Sequence, residues 1–535
     1  MLGRTWRTSA VLRARRVRLQ ASQVVPRPVI QSCRVIFTPS RALPYSKRQI
    51  HIQDELAPSD AQRSTIYALS TPAGKAGIAV IRLSGPDVMK AWDKLVRLSN
   101  PHVTRPTPWK LHRCQVVHPE TNECIDDGLA VYFKGPKSFT TEDVLELHVH
   151  SGRAVVTAVL QALACLPFCR LAVPGEFTRR AFASGRLDLT QVEGLHDLIN
   201  ADTESQRKLA LRSTSGSLKT WLEDLRRSMI ACLGLVEALI DFEQEDIEEG
   251  VLDQARMRVS HIRQTIKDQL ADFHRGEIFR SGVRLAIYGP PNAGKSSLFN
   301  VLAQREAAIV TDVPGTTRDV LEISLDLGGF PVILADTAGL RDTDDVVERI
   351  GVARATDKVS TADVSLCVLP LPGLFQARAR GVPFWGITPS LKTIITQEKS
   401  FVLFNKVDLL DIEMPASDLD DMLAELGVPR SWTVSLTNGN GVRQFLDEFG
   451  GHLREKYKVS QDNPSDAPLI VNARHRAHLE TSVRFLDDFL AMSNDDVVLA
   501  AEELRYAAQA VGMITGRIDV EDILDVVFRD FCIGK

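Results

Sequence analysis

Short runs of apolar and β-branched residues, punctuated by Pro and Gly, open the patterned part of the chain. Thr65 to Leu69 and Gly77 to Leu83 read as strands separated by a Pro/Gly loop, and the signal repeats at Gly128 to Phe133 and Val144 to Val149. A helix from about Ala154 to Leu166 precedes another strand-like run, Arg170 to Val173, so a mixed α+β domain is expected to end near residue 180. The period then changes. From about Leu187 to Arg275 the pattern is helical, with Leu218, Leu222, Leu225, Met229, Cys232, Val236 and Leu239 spaced at three and four to make one apolar stripe. Strand–turn–helix alternation fills roughly 281–455, and helical periodicity returns from about Ala473 to the end. Two helical blocks around an α/β unit predict a domain inserted into a helical one, which is favoured where chain ends lie close at a surface.

A chain of 535 residues exceeds one core, so two to four domains are expected. Hydrophobic and charged fractions of 44% and 25% are ordinary for a globular protein. The net charge of −4 hides an asymmetry, because residues 1–50 hold ten Arg and Lys47 but no acid. Without those eleven positive charges the body carries −15, so any nucleic-acid contact must come from a local patch. The Arg- and Ser-rich leader has the composition of a mitochondrial transit peptide, with an amphipathic helix near Trp6 to Leu19; a basic tail is the other reading. No apolar run is long enough to span a bilayer, and a matrix enzyme is expected. Eight cysteines lie at Cys33, Cys114, Cys124, Cys165, Cys169, Cys232, Cys367 and Cys532 without a C-x-x-C pair, which argues against zinc. Cys165 and Cys169 are expected to be buried around the helix end at Pro167.

Chemistry enters at Gly289-Pro290-Pro291-Asn292-Ala293-Gly294-Lys295-Ser296, which follows the apolar run Val283 to Tyr288 and opens a helix carrying Leu298 and Leu302. Glycines let backbone N–H groups wrap phosphates, and the helix N-terminus adds positive potential. Lys295 then reaches the β- and γ-phosphates, and the Ser296 hydroxyl serves Mg²⁺. Pro314-Gly315-Thr316-Thr317-Arg318-Asp319 reads as the first switch, with Thr317 as a second magnesium hydroxyl. An alternating strand at Leu321, Ile323, Leu325 and Leu327 turns at Gly328-Gly329. The returning strand delivers Asp336-Thr337-Ala338-Gly339 to the metal's second shell and the γ-phosphate. In Asn405-Lys406-Val407-Asp408 the aspartate can accept from the guanine N1–H and exocyclic amine, which adenine lacks, so GTP is favoured over ATP. Ser435-Leu436-Thr437 is a weaker match to the last base-contacting loop.

Leu340 stands where Ras-type GTPases place the Gln that orients the attacking water. Glu348, just downstream, is either a replacement for that Gln or a surface ion-pair residue; spacing alone leaves both open.

With these residues placed, the chain resembles the MnmE (TrmE) family of tRNA-modification GTPases in its mitochondrial form, from about Thr65 to Lys535. The specific stretches are Gly77 to Gly85, Ser138 to Glu146, Pro174 to Phe182 and the terminal Phe531-Cys532-Ile533-Gly534-Lys535. The resemblance implies an α+β N-terminal folate-binding domain and a helical domain interrupted by an inserted α/β P-loop (Ras-like, TrmE-type) GTPase domain. The expected division is 1–58 transit peptide and linker, 59–182 folate-binding and dimerisation, 183–278 first helical part, 279–456 GTPase, and 457–535 second helical part. It implies nucleotide contacts at Asn292, Ala293, Gly294, Lys295, Ser296 and Ser297, at Thr311, Asp312, Val313, Pro314, Gly315, Thr316 and Thr317, and at the later motifs. It also implies a potassium ion held by Asn292, Thr311, Val313 and Thr316, and lifts Glu348 to the water-orienting role, with Lys295 and Thr317 catalytic beside it.

The family's 5-formyl- or 5,10-methylene-tetrahydrofolate would meet Arg82, Glu146, Arg186 and Lys535. Arg186 keeps the charge of the bacterial lysine with a different geometry. Cys532 is either the family's near-terminal cysteine beside the folate or a small buried residue. Implied partners are a second copy in a homodimer, an FAD-containing MnmG (GidA) flavoprotein and mitochondrial tRNA, whose wobble uridine receives a carboxymethylaminomethyl-type group at C5. Residues 368–400 depart from the family's short loop, and Leu436 replaces a common alanine. A ribosome-assembly GTPase would share the nucleotide motifs but calls for a basic, aromatic RNA-binding domain. The acidic run Glu243 to Glu249 does not suit one and reads as a solvated loop or helix end. A folate-dependent aminomethyltransferase with an appended regulator would turn over without GTP.

Overall fold

The computed structural model describes residues 64–99, 105–241, 250–303, 308–311, 322–327, 330–334, 359, 362–380, 387, 389–397, 399–410, 427, 430–457, 469–493, 496–516 and 534. Residues 1–63, and with them the leader, lie outside the described residues.

Alternation makes the first sheet two-faced. Its elements are β1 (Thr65–Leu69), β2 (Ala79–Ser84), α1 (Val88–Leu95), β3 (Val96–Leu98), β4 (Leu111–Val117), β5 (Cys124–Phe133), β6 (Val144–Val149), α2 (Arg153–Ala164), β7 (Cys169–Leu171) and α3 (Glu176–Ala183). The strand order is β3-β4-β5-β6-β2-β1-β7, antiparallel throughout except for the β1–β7 edge. Ile81, Leu83, Leu145 and Leu147 point to one face and pack with Trp92 and Leu95 of α1 and Val159 and Leu163 of α2. The other face carries Ile66 and Ala68 against Phe177 and Phe139, and brings Arg82 opposite Glu146. Cys165 is exposed and Cys169 half-buried, correcting the expectation that both are buried. Leu163 and Leu166 take the core-facing positions of that helix end, which turns Cys165 outward.

The helical part comprises α4 (Leu189–Ile199), α5 (Glu204–Thr214), α6 (Ser217–Asp241), α7 (Val251–Ala271) and α8 (Phe273–Ser281). Asp188 with Gln191 and Thr203 with Gln206 form capping boxes that set where α4 and α5 begin. The expected stripe on α6 is buried from Leu218 to Val236, while Leu239 is half-buried.

The second sheet follows, with β8 (Val283–Tyr288), α9 (Lys295–Ala303), β9 (Ala308–Thr311), β10 (Glu322–Leu327), β11 (Phe330–Leu334), β12 (Val364–Pro370), α10 (Leu371–Ala379), α11 (Pro389–Ile395), β13 (Ser400–Asn405), β14 (Ser431–Thr433) and α12 (Val442–Lys456). Its order is β14-β13-β12-β8-β11-β10-β9. Strands β11, β8, β12, β13 and β14 are parallel, and β10 and β9 add an antiparallel edge. Strands β12 and β13 are buried along nearly their whole length, as a sheet covered on both faces requires.

Residues 368–400 are therefore not simply a long loop. Val368 to Pro370 complete β12, and α10 and α11 occupy much of the remainder; Trp385 lies outside the described residues. Pro372 falls in the first turn of α10, where a missing N–H leaves no bond unmade. Two last helices, α13 (Ala473–Ala491) and α14 (Val497–Thr515), pack with α6 and α7 around Leu222, Met229, Val259, Leu486 and Leu504, so segments on both sides of the second sheet build one helical core. Among the described residues no helix is long and apolar enough to cross a membrane.

Candidate functional site

Strand β8 lies at the middle of the second sheet and ends in the phosphate loop, with α9 starting at Lys295. Gly289 has φ 144°, and a Cβ there would lie 2.2 Å from the Val368 carbonyl oxygen, so the loop turns hard against β12. The Lys295 ammonium donates to the carbonyls of Gly289 and Pro290 at 3.2 and 2.9 Å, which fixes it over the loop rather than in solvent. Ala293 is fully buried beneath it. Asn292 stands exposed at the crest with φ 57°, a left-handed conformation that Asn tolerates.

Asn405 ties the nucleotide loops together. Its buried amide donates from Nδ2 to the Ala293 carbonyl at 2.9 Å and accepts at Oδ1 from the Leu436 N–H at 3.1 Å. One side chain thereby spaces the phosphate loop from the Ser435-Leu436-Thr437 loop. Lys406 then takes φ 69° and starts a single 3-10 turn, Val407–Leu409, that leaves Asp408 exposed at the mouth of this cleft. Ser435 and Leu436 are buried and Thr437 is exposed. The arrangement can hold phosphates at one end and a base at the other. Thr311 ends β9 opposite Glu322. Asp312 to Thr317, Asp336 to Gly339, Leu340 and Glu348 lie outside the described residues, as do Cys532 and Lys535.

A second group of sequence-assigned residues lies on the first sheet. Arg82 Nε donates to Glu146 Oε1 at 2.9 Å, between directly paired positions of β2 and β6. The Arg82 guanidinium lies 5.5 Å from the Phe139 ring centre, and that of Arg186 lies 5.6 Å from the same ring. Two of the four residues matched to folate, Arg82 and Arg186, thus share one phenylalanine ring, and Arg82 ties Glu146 to them. Burial pushes the Glu146 carboxyl up, but His148 and Arg82 more than offset it and hold it below the usual carboxylate range.

Sequence reasoning missed the charges that support this pocket. Arg180 donates to Glu142 at 2.8 Å and to Glu176 at 3.1 Å, Glu142 also accepts from Ser84 at 2.7 Å, and Arg170 binds Glu176 at 2.9 Å. Ser84 and Arg82 are both on β2, so the network fixes the strand that carries the pocket arginine. The available signal was charge inside the two stretches Ser138 to Glu146 and Pro174 to Phe182. The last described residue, Gly534, completes the site's surroundings. Its carbonyl accepts from Ser70 Oγ at 2.9 Å, and with φ 102° its Cα sits so close to β1 that a Cβ would be 2.2 Å from the Leu69 carbonyl oxygen. Gly534 is therefore docked on β1.

These features agree with the comparisons to known proteins. The family model described as GTP-binding protein TrmE N-terminus matches residues 65–186, and the MnmE helical domain matches residues 189–532. A mitochondrial 5-taurinomethyluridine tRNA synthase subunit, GTPB3, of Danio rerio is 45% identical over 88% of this chain and 93% of its own length. The tRNA modification GTPase MnmE of Parvibaculum lavamentivorans is 44% identical over 88% of this chain and its whole length. The human GTPB3 is 41% identical over 90% and 95%. A solved G domain of the T. maritima FeoB iron transporter aligns with 33% of the chain at 22% identity and a TM-score of 0.23, too slight for a fold argument, so the strand order above carries that conclusion. Matches of this extent on both sides of the phosphate loop leave one assignment: the chain belongs to the MnmE (TrmE) family of tRNA-modification GTPases.

Proposed function

We propose that this chain is the GTP-hydrolysing subunit of a mitochondrial enzyme that builds an aminomethyl-type group on C5 of the tRNA wobble uridine. The observation that carries the reading is the presence, in one folded unit, of a guanine-nucleotide cleft stitched by Asn405 and a separate Arg82–Glu146–Arg186 pocket. The relatives' names, a taurinomethyluridine synthase subunit among them, support the tRNA substrate and the mitochondrial setting. The acid-free leader supports import, with the matrix as destination.

At the nucleotide, Lys295 aligns the phosphates, Ser296 and Thr317 supply hydroxyls to Mg²⁺, and Asp408 selects guanine. Asn292, exposed at the loop crest, fits a shared potassium site with Thr311, Val313 and Thr316, formed as the G domains of a homodimer face each other. Held by these residues, the two cations would offset charge that develops on the transferring phosphoryl group. Glu348 orients the attacking water, because Leu340 has no polar group to do so. In the second pocket, the depressed Glu146 carboxylate and the two arginines suit a ligand with N–H donors and carboxylates, as tetrahydrofolate is. Folate, when bound, would supply the one-carbon unit, with Cys532 and Lys535 of the family's terminal motif assigned to it beside the two arginines, and an FAD flavoprotein of the MnmG (GidA) kind completes the enzyme.

Replacing Glu348 by Ala should lower GTP turnover at least about 10²-fold, the usual scale for a lost proton-handling group. GTP affinity, measured by fluorescent-nucleotide titration, should stay the same; a parallel loss of binding would remove Glu348 from the water-orienting role. The function as a whole is tested by nucleoside mass spectrometry of mitochondrial tRNA from cells with and without the chain. Loss and recovery of the C5 group on the wobble uridine is the expected result, and its mass identifies the amine. Unchanged wobble uridines would overturn the proposal and direct attention to ribosome assembly.

A further inference from the structure

Away from the nucleotide loops and the Arg82–Glu146 pair, one corner of the first sheet sets an ordered aromatic ring in water among lysines. Trp109, two residues before the start of β4, is 59% exposed, and Leu111 beside it is exposed as well. The ring is held nonetheless. The Trp109 N–H donates to the Tyr132 carbonyl at 2.8 Å, and its ring stands edge-on to Phe133 with centroids 4.7 Å apart. Pro106 and Pro108 stiffen the approach, and a φ of 64° puts Trp109 in a left-handed conformation that bulky side chains rarely take. Register fixes which way the corner faces. Glu146 lies directly opposite Val131, and Phe133, two residues along β5, points the same way, while Tyr132 between them joins the helix-covered core. Strand spacings put the Cα atoms of Phe133 and Glu146 about 8 Å apart.

Charge singles out the same corner. The chain beyond its leader carries −15, yet the stretches Arg105 to His118 and Gly128 to Thr141 contain no acid. Lys110, Lys134 and Lys137 in them are exposed, and among the described residues none of the three makes an ion pair. An exposed ring beside cations is what an unpaired nucleotide requires, because every base has a π-face and carries a phosphate next to it. A duplex keeps its bases stacked on one another and offers the ring nothing. We propose that Trp109, braced by Phe133, is a stacking platform for an unpaired base of an RNA loop, with Lys110, Lys134 and Lys137 taking the adjacent phosphates. The patch is the local basic surface through which an otherwise acidic chain can meet nucleic acid. A second copy of the chain suits the corner less well, since an isologous contact there would set lysines against lysines. The inference rests on the tRNA reading of the function and assigns a surface of this chain to it.

Full-length protein is titrated by fluorescence anisotropy with a short fluorescein-labelled RNA hairpin whose loop is unpaired, and with a fully paired duplex of the same stem. The unaltered protein should bind the hairpin more tightly. Trp109→Ala should weaken the hairpin roughly 5- to 150-fold, the scale of one lost base–aromatic stack, and leave the duplex unchanged. Trp109→Phe, which keeps a ring, should retain most of the affinity. Lys134→Gln should reduce the log–log salt slope of hairpin binding by about 0.7, one phosphate contact on a single strand. Hairpin affinity that is indifferent to Trp109→Ala, or no hairpin binding by the unaltered protein, would overturn the platform. A lower oligomeric mass of Trp109→Ala in light scattering would overturn it too, by giving the corner to a second copy of the chain. If either result came with a wobble-uridine group that still depends on the chain in cells, the tRNA reading would stand and this inference alone would fall. Wobble uridines unchanged without the chain would remove the tRNA reading and the platform's role with it.

Discussion

Gly289→Ala should bind GTP at least about a hundredfold more weakly than the unaltered chain, a loss near 2.8 kcal/mol. The position has φ 144°, which strains any residue with a side chain by about 1–3 kcal/mol. The larger difficulty is space. A Cβ would sit 2.2 Å from the Val368 carbonyl oxygen and 3.1 Å from its carbon, and Val368 is a fully buried backbone position in β12, with no flexible side chain to swing away. Relief requires the loop to lift from the sheet. Lifting it breaks the contacts of Lys295 with Gly289 and Pro290 and moves Ala293 away from Asn405, so phosphate and base recognition fail together. Titration with a fluorescent guanine nucleotide measures the effect. Affinity within threefold of normal would show that loop and strand separate readily, and that the loop is less rigid than its packing implies.

Glu193→Gln should destabilise the helical part by about 3–5 kcal/mol, the range for removing one partner of a buried ion pair. Glu193 lies on α4 and is only 8% exposed; it accepts from Arg474 at 2.9 and 3.1 Å and lies 2.6 Å from His475 Nε2. Arg474 also donates to the carbonyls of Met513 and Ile514 at the end of α14. Among the described residues, the carboxylate is the one acid in this junction that contacts both the Arg474 and the His475 side chains. Burial pushes its pKa up, but the His475 and Arg474 contacts more than reverse this and bring it down to about 2. An unfolded glutamate titrates near ~4.3. The native pair therefore contributes fully above that value, and the contribution is lost as pH falls towards about 2. Urea unfolding of both proteins across this range should show a smaller loss of stability on acidification in the Gln variant than in the parent, by the share that Glu193 contributes. Similar midpoints at neutral pH would mean that Arg474 holds the two helical segments through the α14 carbonyls alone.

The nucleotide cleft was legible because each of its parts is a contiguous run beside an apolar strand, as at Val283 to Tyr288. What no run discloses is the double role of Asn405, which bonds Ala293, 112 residues earlier, as well as Leu436. Pocket residues Arg82, Glu146 and Arg186 came from resemblance, and their physical reason, the shared Phe139 ring, needed coordinates. The Arg180 network stayed hidden because charged residues are ordinarily read as surface, whereas Glu176 and Arg180 are 7% and 8% exposed. Helix α1 and strand β4 escaped pattern reading for different reasons. One is only eight residues long, and the other, Leu111–Val117, mixes His, Arg and Gln into its alternation. Cys165 was misplaced because sequence does not show which side of a helix end faces the sheet.

The contact between Ser70 and Gly534 spans 464 residues. At roughly 5–20 residues per second, a ribosome that has finished β1 needs about 25–90 s more before the glycine that docks on it exists. Until then, the strand that borders the second pocket waits without its covering segment, whatever else has folded. A premature stop or a frameshift before Gly534 leaves the Ser70 hydroxyl without that acceptor, even when β1 is paired with β2 and β7 and the nucleotide cleft is whole. Formation of this contact thus reports that the message was read in frame as far as Gly534.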